Sequence, residues 1–167
     1  RRLRDLPEGT AALARRLLHG RTAILAHIEE ARNAEVGGLK IRHHGDYHLG
    51  QVLMAKEDAY ILDFEGEPRR TIEERRQKAP AARDVAGFLR SIDYATSAAL
   101  ERAPNLKPEE VDPLMAQVRT WSERLGAAYW DAYRETIGGV ALWPVDEAQQ
   151  KSLLDMFLLE KALYEIE

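Results

Sequence analysis

An α+β fold that is mostly α is predicted for this chain, with helices on either side of a small inserted β-hairpin. Two observations carry that expectation. Apolar residues recur at helical spacing in residues 10–31 and again, in three long stretches, from Pro80 onward. Between them, Val52-Leu53-Met54 and Tyr60-Ile61-Leu62 are short, partly β-branched runs on either side of Lys56-Glu57-Asp58, which reads as a hairpin. With 167 residues, 45% of them hydrophobic, the chain has the size of one domain and enough apolar residues for a core.

Each element follows from local pattern. Leu13, Leu17, Ile24 and Ile28 form the seam of the first helix over 10–31, which Val36-Gly37-Gly38 breaks. Leu39–His43 reads as a short strand. Thr71–Lys78, with Glu73, Glu74, Arg75 and Arg76, reads as a charged loop or a first helical turn. A helix is expected from Pro80, a residue suited to an early helical position, through Val85, Phe88, Leu89, Ile92 and Leu100 until Pro104 and Pro108. Val111, Leu114, Met115, Val118, Trp121, Leu125, Tyr129 and Tyr133 mark another, stopped by Gly138-Gly139. The last begins near Pro144. Leu153, Leu154, Phe157, Leu158, Leu159, Leu163 and Ile166 leave it little polar surface, so it should be largely buried.

Composition excludes several classes. A net charge of −4 argues against a nucleic-acid footprint, which would show as a basic patch. The absence of cysteine removes disulfides and thiolate metal sites. No apolar run approaches the roughly 20 residues that span a bilayer, so no membrane partner is expected. Arg1-Arg2-Leu3-Arg4 lacks the apolar segment of a signal peptide, which makes the cytoplasm the default location.

Chemistry concentrates in His44-Gly45-Asp46-Tyr47-His48-Leu49-Gly50-Gln51-Val52 and Ile61-Leu62-Asp63-Phe64-Glu65-Gly66-Glu67-Pro68. An Asp, an amide five residues later and a second Asp closing the next apolar run make a phosphoryl-transfer constellation. A hydroxyl nucleophile needs a carboxylate to accept its proton, and nucleotide phosphates need a divalent cation to neutralise developing charge. Mg²⁺ prefers oxygen ligands, few of them from protein. Asp46 is the candidate base; Gln51, Asp63 and Glu65 are the candidate metal ligands; ATP is the expected donor. If Lys56-Glu57-Asp58 is the turn, Gln51 lies directly opposite Asp63 and the two can share one ion. A register slip of one residue would spoil that placement.

Two rival readings arise from the same residues. His43, His44, Asp46 and His48 suggest a zinc hydrolase site, but they crowd one short segment and lack a helical His-Glu-x-x-His arrangement. Asp46 and Asp63 could also be ordinary turn and strand-end residues.

The motifs resemble the catalytic core of aminoglycoside phosphotransferase-like kinases, and more closely the bacterial maltokinases, including those fused to trehalose synthase. The resemblance rests on residues 44–53, Asp-Phe-Glu-Gly-Glu-Pro at 63–68, Arg83-Asp84-Val85-Ala86-Gly87-Phe88-Leu89-Arg90-Ser91 and Glu160-Lys161-Ala162-Leu163-Tyr164-Glu165. It implies that residues 1–167 form the helical C-terminal lobe of a protein-kinase-like fold. It also implies phosphorylation of maltose by ATP to maltose 1-phosphate for α-glucan and trehalose metabolism, with a fused or partner trehalose synthase as a candidate partner. His44, His48 and Asp84 would support the site, Asp84 by bracing the catalytic loop; for Asp84 alone, a helix-dipole contact is the plainer reading.

No Gly-rich loop precedes Asp46, Gly37-Gly38 being too short and too close for that job, and no strand Lys has room to pair with the α- and β-phosphates, so the nucleotide-binding N-terminal lobe is expected to be missing and the isolated segment inactive. Glu167 stands on a helical pattern without a stop signal, and both ends read as cut. In the last helix, Lys161 and Tyr164 lie one turn apart and are the candidate sugar-binding pair. Tyr129, Trp121 and Trp130 read as helix packing. Arg75 and Arg76 read as a solvated charge cluster. A kinase of another hydroxyl acceptor, such as an aminoglycoside, and a non-catalytic docking module remain the alternative functions.

Overall fold

The computed structural model describes residues 3–33, 37–103 and 107–166. The expectations placed on Arg1-Arg2, Val36, Pro104, Glu167 and the side chain of Leu100 lie outside the described residues. The chain divides into two compact units, residues 1–35 and 36–167. The first holds α1 (Glu8–His19) and α2 (Arg21–Asn33) where one helix over 10–31 was expected. The break is at Gly20, whose N–H caps α1 by donating to Arg16 O at 3.0 Å. Glycine is a poor helix interior residue, and the uniform apolar seam hid it.

The second unit is mostly helical with two small sheets. Strand β1 (Lys40–Ile41) leads into the His44 motif and pairs antiparallel with β4 (Ala79–Pro80). β2 (Val52–Ala55) and β3 (Asp58–Ile61) form the expected hairpin. Its register differs from expectation. Val52 faces Ile61 and Ala55 faces Asp58, so the turn is Lys56-Glu57 alone and Gln51 sits opposite Leu62. Lys56 takes φ 59°, which lets a two-residue turn close where three residues were expected.

The charged stretch after the hairpin is a short helix, α3 (Ile72–Arg76), begun by a full capping box. Glu74 N–H donates to Thr71 Oγ1 at 3.3 Å, and Thr71 N–H donates to the Glu74 carboxylate at 2.8 Å. Pro80 lies in β4, not in the helix it was expected to open; α4 runs Ala82–Glu101. Pro108 likewise starts α5 (Pro108–Ile137) instead of ending α4, in keeping with the missing proline N–H being harmless at a first helical position. Gly138, at φ 50°, ends α5 as expected. The last helix, α6, spans Glu147–Ile166.

Helix α4 packs against both α5 and α6. The core joins Ala81 and, from the α4 start, Ala82, Val85 and Ala86 to Leu153 and Phe157 of α6 and to Trp143. Small residues on α4 allow close approach. A Cβ on Gly87 would stand 2.8 Å from Tyr47 O, so glycine is what lets α4 lie directly under the His44 motif. Tyr129 and Trp130 serve as packing: Tyr129 meets Phe88 at 4.4 Å between ring centroids and Trp130 meets Trp143 edge-on at 4.8 Å. Trp121 departs from that expectation, being 56% exposed.

Candidate active site

The segment from His44 to Gln51 is held from below by α4. Asp84, in the first turn of that helix, accepts from His44 N–H at 2.7 Å and from Gly45 N–H at 2.9 Å. The backbone-bracing geometry is therefore present, in addition to any dipole contact. Ser91, two turns along, accepts from Leu49 N–H at 3.0 Å while donating to Phe88 O at 2.6 Å. One helix thus fixes both ends of the loop that carries Asp46.

His44 fixes the loop from inside. It is buried, its Nε2 contacts Leu62 O at 2.7 Å, and its Nδ1 accepts from Asp46 N–H at 3.3 Å. A carbonyl only accepts and an N–H only donates, so His44 is the neutral tautomer protonated at Nε2. It ties Asp46 to the end of the hairpin and has no nitrogen left for a metal. His48 caps the 3₁₀ turn Leu49–Gln51 by accepting from Gly50 N–H at Nδ1, 3.0 Å away. Its Nε2 faces Asp46 Oδ2 at 3.8 Å. These commitments argue against the zinc cluster. Among the described residues, no three His, Asp or Glu side chains converge on a metal position.

Asp46 is only 19% exposed at its side chain, and Lys161 Nζ lies 3.9 Å from its Oδ1. Both neighbours stand beyond hydrogen-bond distance, which leaves the carboxylate lone pairs open to an acceptor hydroxyl. Lys161 also faces Glu67 Oε2 at 3.7 Å.

Gln51 and Asp63 meet despite the shifted register. Leu62 N–H donates to Gln51 O at 2.9 Å, the last rung of the ladder. Asp63 then takes φ 59°, turns out of the strand, and accepts from Gln51 Nε2 at 3.2 Å. Asp adopts this left-handed conformation more readily than most residues. Gln51 Oε1 and the other Asp63 oxygen, without a hydrogen bond among the described residues, are hard donors at an exposed edge, a set that would suit Mg²⁺. Glu65 is exposed, and among the described residues no hydrogen bond links its carboxylate to Gln51 or Asp63. The turn it belongs to presses on the loop: a Cβ on Gly45, at φ 88°, would come within 3.2 Å of Gly66 Cα.

Around Tyr164 three cations gather, with Arg69, Lys161 and Arg70 at 5.4, 5.5 and 5.9 Å from its ring centroid. Tyr164 Oη is buried with no hydrogen-bond partner among the described residues. Beside it, Glu160 accepts from Arg83 at 2.8 and 3.1 Å and from Arg70 at 3.0 Å. Burial pulls the Arg83 guanidinium below its ordinary value while Glu160 opposes the shift. Glu67, Glu160 and Ser91 were assigned no role from sequence. A charged Glu160 inside an apolar helix was a usable signal, since a carboxylate set among apolar residues calls for a cation; Glu67 carried none.

The Asp84 brace leads to a stability prediction. Asp84→Ala leaves two loop N–H groups without their acceptor, and hydrogen bonds to charged groups contribute about 1.5–3 kcal/mol each. Urea unfolding of the full protein carrying this segment should show a loss of about 2 kcal/mol or more. An unchanged midpoint would refute the brace.

No protein-family model matches the chain. It is 34% identical over 113 residues to a glucosamine kinase of Streptacidiphilus jiangxiensis, covering 68% of this chain and 24% of that protein. It is 32% identical over 121 residues to a glucosamine kinase of Mycolicibacterium smegmatis (strain ATCC 700084 / mc(2)155), covering 72% of this chain and 29% of the relative. The chain thus spans less than a third of the length of either. A solved glucosamine kinase in complex with glucosamine, ADP and inorganic phosphate superposes with a TM-score of 0.73 at 28% identity, over 98% of this chain and 39% of that one. These relatives are glucosamine kinases, whereas the motif resemblance pointed to maltokinases. Over the part of their length that it spans, the chain is similar in sequence and in fold to glucosamine kinases.

Proposed function

We propose that this segment is the helical C-terminal lobe of an ATP-dependent sugar kinase, supplying the catalytic base, the metal ligands and the acceptor site. The observation that carries the reading is the assembly of Asp46, Gln51 and Asp63 by one braced loop and one hairpin end. Asp46 accepts the proton of the acceptor hydroxyl as its oxygen bonds to the γ-phosphorus of ATP and the bond to the β-phosphate oxygen breaks. Gln51 and Asp63 hold Mg²⁺, which when bound neutralises charge on the phosphates. Glu65, exposed on the same turn, would be a further candidate ligand. His44 holds the Asp46 backbone in place, and His48 caps the turn that follows it. The nucleotide cover and the phosphate-binding Lys belong to the part of the protein outside this segment, so residues 1–167 alone are expected to be inactive.

For the acceptor, a neutral sugar such as maltose is proposed from charge. Lys161 faces Asp46 and Glu67 together, and a cationic acceptor would compete with it for those carboxylates. Tyr164 Oη, buried beside Glu67 and Arg69 and without a well-formed hydrogen bond among the described residues, is the group proposed to bond a sugar hydroxyl. The second reading is glucosamine, favoured by what the relatives are called. An aminoglycoside, carrying several positive charges, fits Lys161 worst.

Steady-state kinetics of the full protein with maltose and with glucosamine separate the two. Lys161→Ala and Tyr164→Phe should raise the maltose KM several-fold and leave the ATP KM nearly unchanged, since each lost hydrogen bond costs about 0.5–1.5 kcal/mol or more to a charged group. Glucosamine turnover that exceeds maltose turnover, with Lys161→Ala improving it, would select the amino sugar. No phosphorylation of any sugar by the full protein would favour the docking-module alternative.

A further inference from the structure

Arg75 read from sequence as part of a solvated charge cluster, and its neighbours on α3, Glu73, Glu74 and Arg76, are exposed. Arg75 itself is half-buried. Its side chain runs back to the segment that follows Asp63. Nε donates to Arg70 O at 3.1 Å, and Nη1 donates to Glu65 O at 3.4 Å. One guanidinium thus joins two backbone carbonyls, and the planar fork of its donors fixes how far apart they stand.

The stem of the same side chain packs on the turn. Gly66 takes φ 79°, and a Cβ there would come within 3.3 Å of Arg75 Cγ and Cδ. Gly66 also presses on the catalytic loop, its Cα 3.2 Å from where a Cβ on Gly45 would stand. It therefore touches both Arg75 and the residue before Asp46. The root of the clasp is firm. Arg75 N–H donates to Thr71 O at 3.0 Å behind the capping box of α3, and Arg70 is tied through its own side chain to Glu160 at 3.0 Å. The other end is the turn directly after Asp63, which holds a left-handed φ of 59° off the end of the ladder. A conformation of that kind persists where its surroundings impose it.

We propose that Arg75 is a positioning residue for the metal ligands: it clasps the turn after Asp63 and so keeps the Asp63 carboxylate facing Gln51. The inference rests on the reading of Gln51 and Asp63 as Mg²⁺ ligands and adds the residue that holds them. Among the described residues, no hydrogen bond or ion pair joins Arg75 to either ligand side chain, so it acts through the backbone.

The experiment uses the full protein carrying this segment, with Arg75→Met, which keeps the stem and removes the fork. The Mg²⁺ concentration giving half-maximal phosphorylation should rise about fivefold, the scale of one lost hydrogen bond, with kcat at saturating Mg²⁺ near the wild-type value. Charge alone predicts the opposite sign, because removing a cation beside a metal site favours the metal. Arg76→Met takes a cation from the same helix without touching the turn, and should leave the Mg²⁺ requirement at or below the wild-type value. An unchanged or lower requirement in Arg75→Met, whatever its urea midpoint, overturns the proposal, as does an equal rise in Arg76→Met. Failure of the metal reading shows differently, as full activity in Asp63→Ala or no turnover of any sugar by the wild type. Hydrogen exchange of the amides of residues 63–70 then decides the clasp alone. Faster exchange in Arg75→Met but not in Arg76→Met upholds it; wild-type rates in Arg75→Met overturn it.

Discussion

Asp46→Asn in the full protein carrying this segment is expected to lower kcat by about 10²-fold or more, the usual contribution of a positioned general base. The substitution is nearly isosteric, so the loop should survive it. The loop is held by Asp84 on the His44 and Gly45 N–H groups and by His44 on the Asp46 N–H, and none of those bonds uses the Asp46 side chain. The loss should therefore fall on turnover, and the acceptor KM should change little. Lys161 would lose one of its two facing carboxylates but keep Glu67 at 3.7 Å. Steady-state rates at saturating sugar, with urea unfolding as the control, make the measurement. Near-wild-type turnover would remove Asp46 from the base role and leave the loop as a structural turn.

Much of this arrangement was legible in sequence, for local reasons. Helices α4, α5 and α6 announced themselves because their apolar spacing acts within a few residues, as does the Gly138 stop of α5. The spacing from Asp46 to Gln51 was legible because loop chemistry is written contiguously. Register was not. A hairpin between Met54 and Tyr60 admits turns of two or three residues, and only the left-handed Lys56 at φ 59° selects the shorter one. On an ideal ladder that slip would carry Gln51 and Asp63 apart. They meet because Asp63 leaves the strand at φ 59°, a conformation with no pattern to reveal it.

Interactions distant in sequence were hidden for another reason. Glu160 with Arg83, or Lys161 with Glu67, joins residues from separate elements, and neither partner carries a mark of the other. The resemblance brought out Lys161 and Tyr164 as sugar contacts, and the structure adds that Lys161 lies within 4 Å of the candidate base.

Asp63→Ala is expected to abolish Mg²⁺-dependent phosphorylation, whereas Gln51→Ala should retain activity and require more Mg²⁺. The two side chains share one hydrogen bond of 3.2 Å but differ in what they bring to a cation. Asp63 brings a formal charge; Gln51 brings an amide dipole. Where phosphates and waters would supply most of the ligands of a bound Mg²⁺, a single carboxylate would be the ligand that the protein cannot lose. Gln51→Ala also frees Asp63 from the amide that orients it, so the Mg²⁺ requirement should rise even though the charge remains. The hairpin itself should persist in both variants, because the rung from Leu62 N–H to Gln51 O is backbone to backbone. Activity titrated against Mg²⁺ for the wild type and both variants reads the difference directly. Equal losses would mean that the pair acts as a structural clasp. Full activity in Asp63→Ala would move the metal away from this hairpin altogether.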